Sequence, residues 1–405
     1  MTDTDILSAR EARGNHVARL RSKGTVIAIH ANIPGAVKQG PIDTFLVSLF
    51  ARLVSEVFHC TFTYSDSPDG MYATAYVSKR AELLKSQCVT IETMHPLGRL
   101  IDLDVHDPNG QWSRETPRTC LICGNDVHIC RRSGVHTTQT LTQAIDKMVR
   151  TFIRDALARE AINALRKEVF TVPCFALVSH KSSGLHTDMN ISHFLTAFDT
   201  LETAFKAYLD YALFDDFTLE GLNKMGRTYE QRLLSTVGVN THKGAHYLFG
   251  LLLPVMARSI MSGDSQDGFN KTLKHYGRTL ETRARTAPPP YPSSGERAYS
   301  DAGIRGVRGE LAEGFPSIFA WRTPHTLNWS GTEKLMAIMR RLDDTTLHKK
   351  DALTRVKSCL AKHSEPADYS GVRQCTGEVS PGGAADLLAV VYMLEQTDYL
   401  FNAAP

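Results

Sequence analysis

What this chain lacks narrows it first. No apolar run reaches the ~18 residues needed to cross a bilayer as a helix. The longest, YLFGLLLPVMA (247–257), is flanked by Lys243 and Arg258 and reads as a buried helix. The amino terminus, MTDTDILSAREARGNHVARL, has neither the basic start nor the apolar stretch of a secretory signal. It is helical in pattern, and a cytoplasmic protein without a membrane is the default expectation. An excess of either charge is also missing: 46 Lys and Arg against 43 Asp and Glu leave +3, too little to argue for a nucleic-acid surface. Eight cysteines in 405 residues do not make a disulfide scaffold, and only Cys120, Cys123 and Cys130 cluster. Internal repeats are absent. With 42% apolar and 22% charged residues, the composition is globular rather than disordered.

At 405 residues the chain exceeds a usual single core, so two domains are expected. The first part carries β-branched and aromatic runs with strand character: TVIAIHANI (25–33), CTFTYS (60–65), MYATAYV (71–77) and CVTIETM (88–94). From about Thr142 apolar residues recur at helical spacing, in 144–170, 191–213 and 332–344. The expectation is therefore a mixed α/β (α+β) amino-terminal domain over 1–145 and an all-α domain over 146–405. The four prolines of RTAPPPYPSSGER (285–297) exclude a helix interior and suggest a surface connection.

Three amino-terminal clusters exceed what packing needs. NIPGAVKQGP (32–41) follows a predicted strand and sets Asn32, a Pro-Gly turn and Lys38 together, either as a phosphate cradle or as an ordinary strand-to-helix turn. In HPLGRLIDLDV (95–105) a strand puts Asp102 and Asp104 on one face and Leu103 on the other. Two carboxylates so placed suit Mg²⁺ and a polyphosphate, with His95 and Arg99 upstream to meet phosphate; solvent-facing aspartates are the alternative. CLICGNDVHICRRSGVH (120–136) offers Cys120, Cys123 and Cys130 with His128 or His136. That set reads either as a zinc site, short of the usual two tight ligand pairs, or as buried reduced cysteines.

These segments, with SAREAR (8–13) and in this order, resemble the citrate lyase holo-acyl-carrier-protein synthase family, the phosphoribosyl-dephospho-CoA transferases. The resemblance covers nearly all of residues 5–140. It implies that a serine of the acyl-carrier subunit of citrate lyase attacks the α-phosphorus of triphosphoribosyl-dephospho-CoA and expels diphosphate. Asp102, Asp104, Arg99 and Lys38 are the groups available for that charged leaving group.

In the remaining part, GVNTHKGA (238–245) runs straight into the apolar helix. Asn240, Thr241, His242 and Lys243 fall at a helix start, either capping it or presenting N–H groups and a cation to a nucleotide phosphate. SSGLHTDM (182–189) adds His186 and Asp188, and GIRGVRGELAEGFP (303–316) adds Arg305, Arg308, Glu310 and Glu313. RRLDDTTLHKK (340–350) adds Asp343, Asp344 and His348; SPGGAADLLAV (380–390) adds Asp386. Such loops in a helical domain suit the rim of one polar site.

In this order these motifs resemble the all-helical triphosphoribosyl-dephospho-CoA synthase family over about 155–395. The resemblance implies transfer of the triphosphoribosyl group of ATP to the 2′-hydroxyl of 3′-dephospho-CoA, with adenine released and Mg²⁺ expected. Asp188, Asp343, Asp344 and Asp386 become metal or base candidates, Lys243 and Arg308 triphosphate contacts, and His186, Asn240, His242 and Glu310 pocket residues. Two departures stand out. The family's Lys-Pro-Gly-Leu-Val is Cys174-Phe175-Ala176-Leu177-Val178 here, with Lys181 nearby, and its Asp-Thr-Asn and Arg-Gly-Gly are Asp344-Thr345-Thr346 and Lys349-Lys350-Asp351. The expected protein is a bifunctional transferase; the alternative is a nucleotide- or CoA-binding module with an impaired synthase half.

Overall fold

The computed structural model describes residues 3–35, 38–286, 294–349, 351–362 and, without 372, 375–376 and 378, 371–401. Ala36, Val37, Lys350 and the prolines of 285–297 lie outside the described residues. Two compact units emerge. One comprises Met1–Ile153 with Ile260–Asp264 and Asp398–Pro405, the other Arg154–Ser259 with Ser265–Thr397.

The first unit is an antiparallel sheet with helices. In chain order it contains α1 (Asp3–Arg21), β1 (Val26–Ala31), α2 (Pro41–Phe58), β2 (Thr63–Ser65), β3 (Tyr72–Tyr76), α3 (Ala81–Met94), β4 (Ile101–Asp107), β5 (Gly110–Trp112), α4 (Val127–Ser133) and the start of α5 (Thr138–Val169), whose residues from Arg154 on belong to the second unit. The strand order is β2-β3-β1-β4-β5. β4 alternates as the DLD pattern requires. Ile101, Leu103 and Val105 are buried, while Asp102, Asp104 and His106 share the opposite, partly exposed face. The register sets His30 of β1 against Asp102, and Ala28 against Asp104.

One strand expectation fails. CVTIETM (88–94) lies within α3, because Leu84, Cys88 and Glu92, four residues apart, form its buried face. β5 flanks β4 only from Val105 onward, which leaves the outward N–H and C=O of Leu103 without a strand partner. The N–H donates to Glu92 Oε1 at 2.7 Å and the C=O accepts from Lys85 Nζ at 2.9 Å. Tertiary pairing thus outweighs the β propensity of the Val89-Thr90-Ile91 run.

The second unit is helical, with no strand among its described residues: α6 (Ile191–Phe214), α7 (Leu219–Val237), α8 (Lys243–Ser262), α9 (Gln266–Thr286), α10 (Ser294–Ala302), α11 (Gly306–Glu313), α12 (Pro316–Phe319), α13 (Gly331–Arg341), α14 (Thr345–Lys349), α15 (Leu353–Leu360) and α16 (Gly382–Gln396). A last short helix, α17 (Asp398–Phe401), belongs to the first unit. α8 is long and apolar enough to cross a membrane, yet most of it is buried inside the protein. Leu248, Phe249, Leu252 and Met256 pack its core side, and Phe198 and Phe205 of α6 and Leu387 and Val390 of α16 are equally buried. At ~2 kcal/mol per buried large side chain, these stripes hold the loops at the helix ends in fixed positions.

Candidate active sites

On the polar face of the first unit's sheet, His30 sits between the two predicted aspartates. Its Nε2 lies 3.5 Å from Asp102 Oδ2, and its Nδ1 lies 3.8 Å from Asp104 Oδ2. Burial, and then Arg13, hold His30 below the ordinary imidazole value, against the pull of both carboxylates. Asp102 Oδ1 is taken by Arg118 at 2.8 Å, and Arg118 also reaches Glu92 at 2.9 Å. The aspartates therefore flank a histidine instead of converging on one point. Asp102 has an arginine or an imidazole at each oxygen, so a Mg²⁺ donor set is not assembled there.

Arg10, Arg13 and Arg21 of α1 line a cavity of about 370 Å³ with His30, Asp104 and His106. Helical spacing brings Arg10 and Arg13 to one side, where both pair with Asp69, at 3.8 and 2.7 Å. The SAREAR motif thus supplies cations to the aspartate-bearing face. Next to them, burial raises Asp43 to about 6, although it accepts the N–H of Met71.

The other predicted residues of this unit are engaged differently. Lys38 folds back onto the carbonyl of Ile33 in its own loop, and burial and Arg10 lower its value. Asn32 is exposed, with its N–H on Leu100 O at 2.8 Å. His95 packs against Phe50 and Phe152, its Nδ1 accepts the N–H of Leu97, and burial lowers it to about 4, which makes it a neutral core histidine. Arg99 donates to Thr119 O.

Cys120, Cys123, Cys130 and His136 come together, each offering one ligand atom within 4.8 Å of the others; His128 is not among them. Cys123 and Cys130 Sγ are 3.3 Å apart. The neighbouring His136 holds the Cys123 thiol down to about 6, and Cys123 in turn raises Cys130.

In the helical unit a cavity of about 240 Å³ is lined by His186, Asn240, His242, Lys243, Thr346 and Asp386, among others. These come from four of the five motifs quoted. The predicted helix start is found: α8 begins at Lys243, and its Ala245 N–H donates to Asp386 Oδ1 at 2.9 Å. Gly244 is required by close approach, since a Cβ there would stand 1.8 Å from Asp386 Oδ2. Burial, and then Asp344, push Asp386 up to about 8.

A residue the motifs miss completes the floor. Glu168 of α5 lines the cavity, and burial with the charge of Asp386 raises it well above the carboxylate range. A signal for it exists in the sequence: Leu157, Ala161 and Leu165 precede it at helical spacing, so the glutamate continues an apolar face.

Asp344 is fully buried and accepts N–H groups from Thr346 at 2.7 Å, Leu347 at 3.4 Å and Ala384 at 3.0 Å. It joins the starts of α14 and α16, does not line this cavity, and has both oxygens engaged by backbone N–H groups, in place of the metal expected there. Asp343 turns outward to Lys357, and Asp188 is exposed, 3.7 Å from His186. His242 is buried against Phe194 and Phe198, and burial lowers it to about 3; its Nδ1 meets Thr241 Oγ1, while its buried Nε2 has no hydrogen-bond partner among the described residues.

The fifth motif lies elsewhere. Arg308 pairs with Glu296 at 3.0 Å and stands over the Tyr247 ring, in a second cavity of about 620 Å³ that shares Lys243 with the first. Glu310 is tied to the N–H and hydroxyl of Ser317 at 2.9 and 2.6 Å, a structural role in place of the pocket role expected of it. Lys181 is exposed and lines neither cavity, and Cys174 is buried.

Residues 1–152 match the family described as apo-citrate lyase phosphoribosyl-dephospho-CoA transferase, and residues 154–404 match ATP:dephospho-CoA triphosphoribosyl transferase. The chain is 27% identical over 401 residues to Protein CitXG of Leuconostoc mesenteroides subsp. cremoris, across 85% of this chain and 83% of that protein. A protein of the same name from Haemophilus influenzae is 26% identical over 447 residues, across 95% and 94%. A probable 2-(5''-triphosphoribosyl)-3'-dephosphocoenzyme-A synthase of Pseudomonas fluorescens is 30% identical over 274 residues, across 61% of this chain and 92% of the relative.

Proposed function

The chain belongs to the ATP:dephospho-CoA triphosphoribosyl transferase family, fused to an apo-citrate lyase phosphoribosyl-dephospho-CoA transferase domain, and on that premise we propose how its residues perform the two reactions. It is a bifunctional transferase that makes and attaches the prosthetic group of citrate lyase. We place the division between the activities inside α5, where the two family matches meet.

For the synthase reaction, Glu168 and Asp386 are the carboxylates that face the 240 Å³ cavity. Two carboxylates held above their ordinary range at one cavity, Asp386 up at about 8 by burial and then Asp344, and Glu168 by burial and then Asp386, are the observation that carries this reading. Hard oxygen donors of this kind fit Mg²⁺, whose contribution would be to neutralise the triphosphate of ATP as the bond to adenine breaks. Lys243 at the start of α8 and Arg308 in the adjoining cavity supply positive charge to the same triphosphate. His186, with Asp188 beside its Nδ1, accepts the proton of the incoming ribose 2′-hydroxyl. Neutral His242 offers its free Nε2 to a sugar or phosphate hydroxyl.

For the transfer reaction, His30 takes the proton of the acyl-carrier serine, Asp102 and Asp104 orient its ring, and Arg10, Arg13 and Arg21 receive the phosphates. No step is assigned to Mg²⁺ here, because Asp102 is already engaged.

The test is to incubate the protein with ATP, Mg²⁺ and 3′-dephospho-CoA and follow adenine, then add the apo-acyl-carrier subunit and follow diphosphate. Adenine formed in step with the triphosphoribosyl adduct, then diphosphate in step with modified carrier, is expected. A folded, ATP-binding protein that releases no adenine would sink the synthase assignment.

A further inference from the structure

The three cysteines and His136 lie outside both active sites, and neither mechanism uses them. The backbone around them is built as a closed knuckle. Gly124, with φ +72°, donates its N–H to Cys120 O at 3.2 Å, and Cys120 N donates to Asn125 O at 2.6 Å, so residues 120–123 curl with both thiols on the inside. A bridge between Thr119 and Asp126 closes the base of the turn. Asp126 then caps α4 by accepting from the N–H groups of His128 and Ile129, which sets Cys130 in the helix against the turn. α4 stops at Gly134 in the left-handed conformation, and the chain returns His136 to the same point.

Four soft or borderline donors thus converge from one turn, one helix and one return segment. Tetrahedral zinc with bonds of about 2.3 Å to sulfur puts its ligand atoms about 3.8 Å apart. The set falls within 4.8 Å, and the Cys123–Cys130 separation of 3.3 Å is well beyond a disulfide bond. His136 Nε2 is buried and has no hydrogen-bond partner among the described residues, a cost that a metal bond or a second partner must offset.

We propose that Cys120, Cys123, Cys130 and His136 bind one structural Zn²⁺ ion. With four protein ligands the site has no open position, so its work is mechanical. It fixes the segment immediately after Arg114 and Arg118. Arg114 pairs with Glu92, Arg118 spans Glu92 and Asp102, and Arg99 donates to Thr119 O at the edge of the knuckle. The zinc knuckle is therefore the anchor that holds Arg118 on Asp102, next to His30.

The experiment measures metal in the full chain purified without chelator after expression with added zinc. About one zinc per chain is expected. Replacement by Co²⁺ should give intense d–d bands and thiolate-to-cobalt charge transfer, the signature of a tetrahedral sulfur-rich site. Cys123→Ser and His136→Ala should lose the zinc and the cobalt bands, while His128→Ala keeps both. Far-UV circular dichroism of all three should match the wild type, which shows that they fold, and adenine release, a property of the other unit, should be unchanged. Wild-type protein without zinc in which every one of these thiols reacts freely would overturn the proposal, as would a Cys123–Cys130 disulfide found by peptide mass. A cobalt spectrum surviving Cys123→Ser would also overturn it. The zinc content, the cobalt bands and the peptide masses do not depend on either transferase activity being as assigned.

Discussion

Asp386→Asn tests the central claim about the synthase cavity, because the substitution keeps shape and removes charge. The asparagine Oδ1 still accepts the Ala245 N–H that Asp386 Oδ1 accepts at 2.9 Å. What changes is the titration. Asp386 is held at about 8 against an ordinary 3.8, so the folded state binds a proton that the unfolded state has already lost through most of that window. The unfolded state binds fewer protons there, so stability falls as pH rises from 3.8 toward about 8 and levels off above it. Between about pH 5 and pH 8 the loss is roughly three pH units at ~1.4 kcal/mol each, on the order of 4 kcal/mol. For a domain of this size that is roughly 10 °C in midpoint. Thermal unfolding of the metal-free protein at the two pH values should show this drop in the wild type and a much shallower one in Asp386→Asn. Mg²⁺ should raise the wild-type midpoint at the higher pH and leave the variant nearly unmoved. Adenine release should fall at least ~100-fold in the variant. If the variant keeps the wild-type pH slope and its activity, the carboxylate is not a buried, charge-frustrated ligand and the reasoning fails.

Gly244→Ala should act on the same group without touching any charge. A Cβ would meet Asp386 Oδ2 at 1.8 Å, so adenine release should drop steeply, whereas transfer from supplied triphosphoribosyl-dephospho-CoA to the carrier should persist. His30→Asn should do the reverse, lowering diphosphate release by ~100-fold or more with adenine release intact. Its residual activity should lose the wild-type pH dependence, since His30 is the neutral imidazole between Asp102 and Asp104; an unchanged profile would exclude it as the base.

Much of this arrangement is legible in the sequence because short-range rules govern it. The period of two in IDLDV places Asp102 and Asp104 on one face of β4, and the apolar run after Lys243 marks α8 with its polar start. What escapes depends on distant pairing. His30 joins the aspartates only through the β1–β4 register, and residues 88–94 become helix because Lys85 and Glu92 satisfy Leu103. Glu168 belongs to no motif and is visible only as an acid on an apolar helix face. Asp344 and Glu310 read as chemistry, yet they satisfy backbone N–H groups at helix starts. A buried carboxylate that caps and one that binds a ligand look alike until their acceptors are counted.

The triphosphate cations show where counting partners leads. Lys243 is paired with Glu230, and Arg308 with Glu296. Lys243 and Glu230 are both well exposed, so their pair is worth at most ~1 kcal/mol and a polyanion can displace the glutamate. Glu230 then acts as a weak stand-in for phosphate, and removing it should help ATP. Glu230→Gln is expected to lower the KM for ATP by up to about fivefold, the rate equivalent of ~1 kcal/mol, with kcat little changed. The gain should be largest at low ionic strength and fade in high salt, where exposed charges are screened. A raised KM would mean that Glu230 binds substrate or its metal, and Lys243 would then have to be reassigned from phosphate contact to holding Glu230 in place.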